Sequence, residues 1–192
     1  NSELTVPQNT LGAELRQLEN KQWEQITLPH TPFVEPLTVL HQWQGICYYK
    51  KKITITPEEA KKHIWIEFEG AMHLADVWIN GKHVMQHAGG YTPFVVDATG
   101  LLKTDKENEL LVRLDNRNNS LIPPGKPLET LDFCYYGGIY RNVHLIAKAD
   151  VHITHPILDG HPAGAGIFIT YPKVSQELSV VDAKTEIKNT SD

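Results

Sequence analysis

The sequence predicts an all-β protein: an antiparallel jelly-roll sandwich with the beginning of a second sandwich behind it. Three observations carry that expectation. Nearly every patterned segment repeats with period two rather than 3.6, turn dipeptides punctuate the segments, and no stretch sustains an amphipathic helix.

Taken in chain order, the first strand-like run holds Tyr48 and Tyr49 followed by Lys50-Lys51-Lys52. Three consecutive lysines in a strand read as a solvated edge that discourages pairing with another chain. Thr56 then stands where an N-cap belongs, with Pro57 at the first helical position, so one helical turn is expected over Pro57-Glu58-Glu59-Ala60-Lys61-Lys62. In the next strand Ile64, Ile66 and Phe68 share one face, and His63, Trp65 and Glu67 share the other. Ala75, Val77 and Ile79 alternate with Leu74, Asp76 and Trp78, and Asn80-Gly81 follows at once. That dipeptide is the strongest short hairpin signal, because a type I′ turn needs positive φ at both central residues.

Further along, Leu110, Val112 and Leu114 alternate with Leu111, Arg113 and Asp115. Ile139, Arg141, Val143 and Leu145 alternate with Tyr140, Asn142, His144 and Ile146. Such strands put one face on a core and the other against water or a loop. The expected core is Ile64, Ile66, Phe68, Val77, Ile79, Leu110, Val112, Leu114, Val143 and Leu145, within a sandwich spanning about Leu15 to Ala149. Gly89-Gly90, Thr99-Gly100, Pro123-Pro124-Gly125 and Gly137-Gly138 mark the remaining breaks.

The run from Asn116 to Gly138 departs from this pattern. It carries Asn116, Asn118, Asn119 and three prolines, and it exceeds the ~12–15 residues usual for a structureless loop. The aromatics Phe133, Tyr135 and Tyr136 at its end favour order. A boundary falls near Ala149-Asp150, giving a first domain over 1–150 and a second over 151–192. In the second, Val151-His152-Ile153-Thr154, Ile167-Phe168-Ile169-Thr170 and Ser179 to Ile187 are fresh strands, too few for a finished sandwich of ~100 residues.

Composition narrows the function classes. At 192 residues the chain cannot hold both a sandwich and a complete eightfold barrel. A net charge of −5 with no basic cluster beyond the three lysines argues against nucleic acid as a partner. No segment approaches the ~18–20 apolar residues of a membrane span. Cys47 and Cys134 are too few for a disulfide framework. The start, Asn1-Ser2-Glu3-Leu4, lacks the basic and apolar regions of a signal peptide, so any such peptide is expected to have been removed. Composition fixes no compartment, with periplasmic or secreted placed ahead of cytoplasmic.

Several pieces in order resemble one family. They are Leu28-Pro29-His30, Phe68-Glu69-Gly70, Trp78-Ile79-Asn80-Gly81, Phe94-Val95-Val96-Asp97, Glu107-Asn108-Glu109-Leu110 and Gly138-Ile139-Tyr140-Arg141-Asn142-Val143. The set is similar to the N-terminal sugar-binding jelly roll of glycoside hydrolase family 2, which includes β-galactosidases, β-glucuronidases and β-mannosidases. The last piece is the most distinctive. The resemblance implies that an immunoglobulin-like domain follows, begun here at 151–192, and then a barrel bearing two glutamates. Those act as acid/base and nucleophile with retention, which needs carboxyls only ~5 Å apart. Their motifs are not in this chain, so no catalytic residue is assigned, and Glu67 and Glu69 are read as solvated surface carboxylates.

The resemblance also implies substrate contacts. Aligned on Gly138-Ile139, Asp132 matches a carboxylate that hydrogen-bonds a sugar hydroxyl; the alternative is an Asp that straps its own loop. Met72 stands where β-galactosidases carry an Asn that touches the sugar, and a thioether lacks the amide's donor and acceptor. No cofactor and no metal are expected. In a strand, His83 and His87 would stand ~13 Å apart, while His152 and His155 would face opposite ways, so neither pair chelates. Trp43, Trp65 and Trp78 are expected to pack rather than to stack on sugar, and Arg141 to form a structural ion pair.

The leading expectation is thus a non-catalytic N-terminal piece of a retaining, exo-acting glycosidase, most simply a β-galactosidase. Its partners would be a terminal β-linked sugar, the parent's own barrel and, possible on the same reading, a second copy of the chain. The competing expectation is a free-standing carbohydrate-binding module.

Overall fold

The computed structural model describes residues 17–18, 21–33, 42–133, 135–160 and 165–191, so the expected start at Leu15 and Cys134 lie outside the described residues. Among these, the protein is nearly all β, the make-up of a β-sandwich. Its strands are β1 (Ile46–Ile53), β2 (His63–Phe68), β3 (Leu74–Ile79), β4 (Lys82–Ala88), β5 (Phe94–Asp97), β6 (Asn108–Asp115) and β7 (Val143–Lys148). Four more follow: β8 (Val151–Ile153), β9 (Ile167–Val174), β10 (Ser179–Thr185) and β11 (Ile187–Asn189). One helical turn, α1 (Pro57–Ala60), and one 3-10 turn (Leu128–Thr130) lie among them, and Gln17 and Leu18 are helical.

Two compact units divide these elements by sheet rather than by position in the chain. The first draws on Asn1–Ile53, Phe68–Pro93 and Asn108–Val143 and holds a four-stranded sheet in the order β1-β6-β3-β4. All three pairings in it are antiparallel. Its β3 lies inside the sheet and is buried at every position. β1 lies at an edge, with Lys51 and Lys52 exposed and Lys50 reaching Glu109 Oε2 at 2.6 Å, as the run of lysines predicts. The β3–β4 connection is the expected Asn-Gly hairpin, with φ of 51° at Asn80 and 78° at Gly81.

Across this sheet a buried charge row replaces the apolar alternation. Asp76 pairs in register with Arg113 on one side and Gln86 on the other, and Arg113 pairs with Tyr48. Asp76 Oδ1 accepts from His83 at 3.0 Å and from Gln86 at 2.8 Å, while Arg113 Nη1 stands 3.6 Å from its second oxygen. Arg113 and Asp76 are 1% and 0% exposed, and Arg113 Nη2 also reaches Asp115 Oδ2 at 3.3 Å, so the buried guanidinium is set between two carboxyl groups. On the same sheet Trp78 and Leu111 pack together with Leu18.

The second unit, Thr54–Glu67, Phe94–Glu107 and His144–Asp192, carries most of the sheet β5-β2-β7 and the pairs β8–β11 and β9–β10. Its α1 forms as expected. Thr56 Oγ1 accepts from the Glu59 amide at 3.2 Å while the Glu59 carboxylate accepts from the Thr56 amide at 2.8 Å. Trp65 is 5% exposed because the rings of His152 and His155 close over it, at 5.3 and 5.4 Å. This corrects the expectation that His152 and His155 face opposite ways: β8 ends at Ile153, so strand alternation does not govern His155, whose amide donates to Asp159 at 2.7 Å. Glu67 and Glu69 are likewise not simply solvated. Glu67 lies 3.8 Å from His155 Nε2, and Glu69 lies 3.4 Å from Arg141 Nε, the structural ion pair foreseen for Arg141.

Eight of the ten expected core residues are buried; Val143 is half-buried, and Leu145 is 46% exposed. The error at Leu145 has a physical source. The chain bends at Arg141, with the Asn142 carbonyl accepting from the Glu69 amide at 3.1 Å, so the alternation counted from Ile139 does not run into β7. Within β7 the less exposed positions are Val143, Ile146 and Lys148, and the strand is at a sheet edge, where neither face need be covered.

Candidate functional site

Both residues singled out by the sequence fall in one region of the first unit, where three segments meet. Met72 bridges Gly138 as an isolated antiparallel pair, its amide donating to the Gly138 carbonyl at 3.0 Å. Its side chain is 3% exposed and packs with Leu128 and Tyr135, flanked by Leu131 and Tyr140. Gly90 of the third segment lies so close that a Cβ there would collide with the Met72 sulfur. The Tyr140 hydroxyl donates to the Gly90 carbonyl, and the Gly89 amide donates to the His73 carbonyl at 2.9 Å.

Asp132 lies exposed on the bend that follows the 3-10 turn, one residue beyond the packed Leu131. Among the described residues its carboxylate has no hydrogen-bond or ion-pair partner. The loop that carries it is fixed by the asparagines that mark it as a loop in sequence. Asn116 accepts from the Gly45 amide at 2.7 Å and donates to the Trp43 carbonyl at 2.9 Å. Asn118 accepts from the Leu128 amide at 2.8 Å and donates to Glu129 at 3.1 Å. Past Asp132, the Tyr135 amide donates to Gln42 at 2.8 Å. A long loop is therefore held by short side-chain bonds to backbone, the way Asn commonly shapes irregular chain.

Charge under the loop is settled by Asp115. Burial pushes its carboxyl upward, but hydrogen bonds from Arg117 and the nearby charges of Arg117 and Arg113 outweigh that and hold it below the usual carboxylate range. Arg117 grips it with two bonds, of 2.9 and 2.6 Å. His73, 3% exposed, donates from Nδ1 to the Asp115 carbonyl at 2.7 Å, and burial lowers its pKa despite that bond. Cys47 is no nucleophile: burial drives its thiol up to about 12.

What sequence reasoning missed is an exposed aromatic group beside Asp132. Tyr91 and Phe133 are 51% and 44% exposed, with ring centroids 6.4 Å apart and planes inclined at 66°. Phe133 meets Tyr135 edge to face at 6.0 Å. The available signal was Tyr91 directly after the Gly89-Gly90 break, where strand alternation stops and no longer argues for burial. Of the remaining candidates, Trp65 and Trp78 are packed at 5% and 4% exposure, and the Trp43 ring lies against Gly45 and Gly137. His83 and His87 are engaged with Asp76 and with Thr92, the latter at 3.1 Å.

Residues 14–149 match the family described as glycosyl hydrolases family 2, sugar binding domain. A β-glucuronidase of Bacteroides fragilis is 34% identical over 85% of this chain, which covers 23% of that protein. A β-galactosidase of Thermoanaerobacter pseudethanolicus is 32% identical over 97% of this chain and 26% of its own length. Among solved structures, Bacteroides uniformis β-glucuronidase 2, covalently bound to cyclophellitol-6-carboxylate aziridine, superimposes with a TM-score of 0.71 at 32% identity, over 88% of this chain and 19% of that one. The chain thus spans about a fifth to a quarter of the length of these relatives.

Proposed function

The chain belongs to glycoside hydrolase family 2 through its sugar-binding domain, and on that premise we propose that it is the N-terminal, non-catalytic part of a retaining, exo-acting β-glycosidase. The parent hydrolyses terminal β-glycosidic bonds, as a β-galactosidase or as a β-glucuronidase, both of which occur among its relatives. The acid/base and nucleophile pair belongs to a barrel in the rest of the parent, and this chain supplies one wall of the pocket. The observation that carries the reading is Asp132: an exposed carboxylate without a partner among the described residues, on a loop that is fixed on both sides. An ionised carboxylate accepts from two hydroxyls at once and so discriminates their orientation. Met72 is buried against Leu128 and Tyr135, and its lack of an amide weakens the case for galactose over other sugars.

The same proposal takes the boundary near Ala149-Asp150 as the start of an immunoglobulin-like domain. The exposure of β9, β10 and β11 supports it, since strands so open await further strands or a second copy of the chain. The test is Asp132→Ala in the full-length parent. Losing a hydrogen bond to a charged group lowers kcat/KM by about 1.5–3 kcal/mol, roughly 10- to 150-fold, with the fold intact. Unchanged kinetics would return Asp132 to a loop strap. The 192-residue chain alone gives no turnover of chromogenic β-galactosides, β-glucuronides or β-mannosides; turnover abolished by mutating one of its own carboxylates would refute the reading.

A further inference from the structure

We propose that Tyr91 and Phe133 form an aromatic corner that receives the ring attached to the sugar, the leaving group, while Asp132 holds the sugar itself. The inference rests on the reading of Asp132 given above. Two half-exposed aromatics in mutual contact are an unusual surface feature, since each leaves a large apolar face in water. Their planes meet at 66°, so the pair presents two walls rather than one flat patch. A flat ring laid on one wall meets the edge or face of the other.

The corner is also held in place. Tyr91 follows Gly90, whose carbonyl is bonded by Tyr140 and whose α-carbon rests on Met72, and Thr92 is held by His87 at 3.1 Å. Phe133 leans on Tyr135, which is 2% exposed. Rigid aromatics lose little entropy on binding, so a ring placed here meets a prepared surface. Phe133 directly follows Asp132, so acceptor and apolar corner lie within one residue of each other. That pairing of a hydroxyl acceptor with adjacent apolar walls fits a glycoside, polar at the sugar and flat or ring-shaped beyond the glycosidic oxygen. A pyranose or an aryl ring meets the same requirement through its C–H edges or its π-face.

Saturation-transfer difference NMR on the full-length parent, with thioglycosides that resist hydrolysis, separates the two halves of the ligand. The probes are 4-nitrophenyl and methyl 1-thio-β-D-galactopyranosides and the corresponding 1-thio-β-D-glucuronides. In the wild type, aryl protons are saturated as strongly as the sugar-ring protons of the preferred glycoside. Tyr91→Ala and Phe133→Ala each reduce aryl saturation at least about twofold, the lower end of what an aromatic contact contributes, and leave sugar-ring saturation and methyl-glycoside signals unchanged. Asp132→Ala does the reverse. Aryl protons without saturation in the wild type, or aryl saturation indifferent to both aromatic variants, overturns the corner. Sugar and aryl signals that fall together in Tyr91→Ala and Phe133→Ala overturn it too, since the aromatics would then serve the sugar or the fold. Sugar saturation that survives Asp132→Ala while aryl saturation still depends on Tyr91 and Phe133 leaves the corner standing and removes the assignment of Asp132.

Discussion

Strands β3 and β10 carry similar alternation in sequence and opposite fates in structure. Every residue of Leu74–Ile79 is buried, and every residue of Ser179–Thr185 is exposed. The difference lies in company. β3 is hydrogen-bonded on both sides, by β4 and β6, whereas β10, among the described residues, pairs with β9 alone. Val180 and Val181 are no less apolar than Val77, yet they are 38% and 59% exposed against 0%. Alternation therefore reports that a segment is extended; it does not report what covers it.

The comparison can be broken at its strongest point first. Arg113→Ala strips the buried partner from Asp76 and Asp115, and removing one member of such a group costs about 3–5 kcal/mol. Urea unfolding should show that loss; a change below about 1 kcal/mol would mean that water reaches the row and that the sheet is not sealed. Next comes a matched pair of truncations. Leu114→Ala, at a residue 0% exposed, should cost about 2–5 kcal/mol. Ile169→Ala, at a residue 49% exposed, should cost under about 0.5 kcal/mol. Equal losses would show that β9 is covered in solution by something else, a second copy foremost, and sedimentation would then reveal the dimer.

A gentler probe is pH. His73 has a folded pKa below its unfolded value of about 6.5, because burial disfavours the charged ring. Below that unfolded value the unfolded chain takes up a proton that the native state refuses. Stability contributed by His73 is therefore full above pH ~6.5 and declines as pH falls toward the folded value. Asp115, depressed in the fold, adds a loss of the same sign at more acid pH. Proton NMR should show the His73 ring neutral where exposed histidines are half charged; a titration at the ordinary value would mean that its bond to the Asp115 carbonyl opens in solution. Smallest is the cap. Thr56→Ala should cost about 1 kcal/mol and be felt at α1 alone, read by amide exchange of Glu59 and Ala60.

Local rules carried the sequence reading a long way where they concern neighbours in the chain. The Asn80-Gly81 turn, the Thr56 cap and the lysine edge of β1 each depend on a few consecutive residues, and each is found where expected. Events that depend on distant chain were not legible. The convergence of His152 and His155 on Trp65 needs β8 to stop at Ile153, which no turn dipeptide announces. Leu145 kept its place in the count while the chain beneath it changed phase at Arg141. In the candidate site, Asp132 and Met72 were visible only through resemblance, because neither spacing nor periodicity links positions sixty residues apart. Phe133 was legible only as a sign of order in its loop, and its meeting with Tyr91 was not, because the two lie far apart in the chain.

The contact between Gly90 and Met72 has a consequence for how this protein can change by descent. The space beside the Gly90 α-carbon is occupied by the Met72 sulfur, and Met72 is itself enclosed by Leu128 and Tyr135. Neither position can drift freely. A side chain at 90 meets the sulfur and methyl of Met72 and lies 3.1 Å from the His73 β-carbon, so the Met72 side chain must shift or shorten to admit it, and a shorter residue at 72 leaves a void that favours a side chain at 90. Substitutions at the two sites should therefore be inherited together, so that a polar residue at 72, with the sugar preference it would bring, is coupled to what position 90 carries.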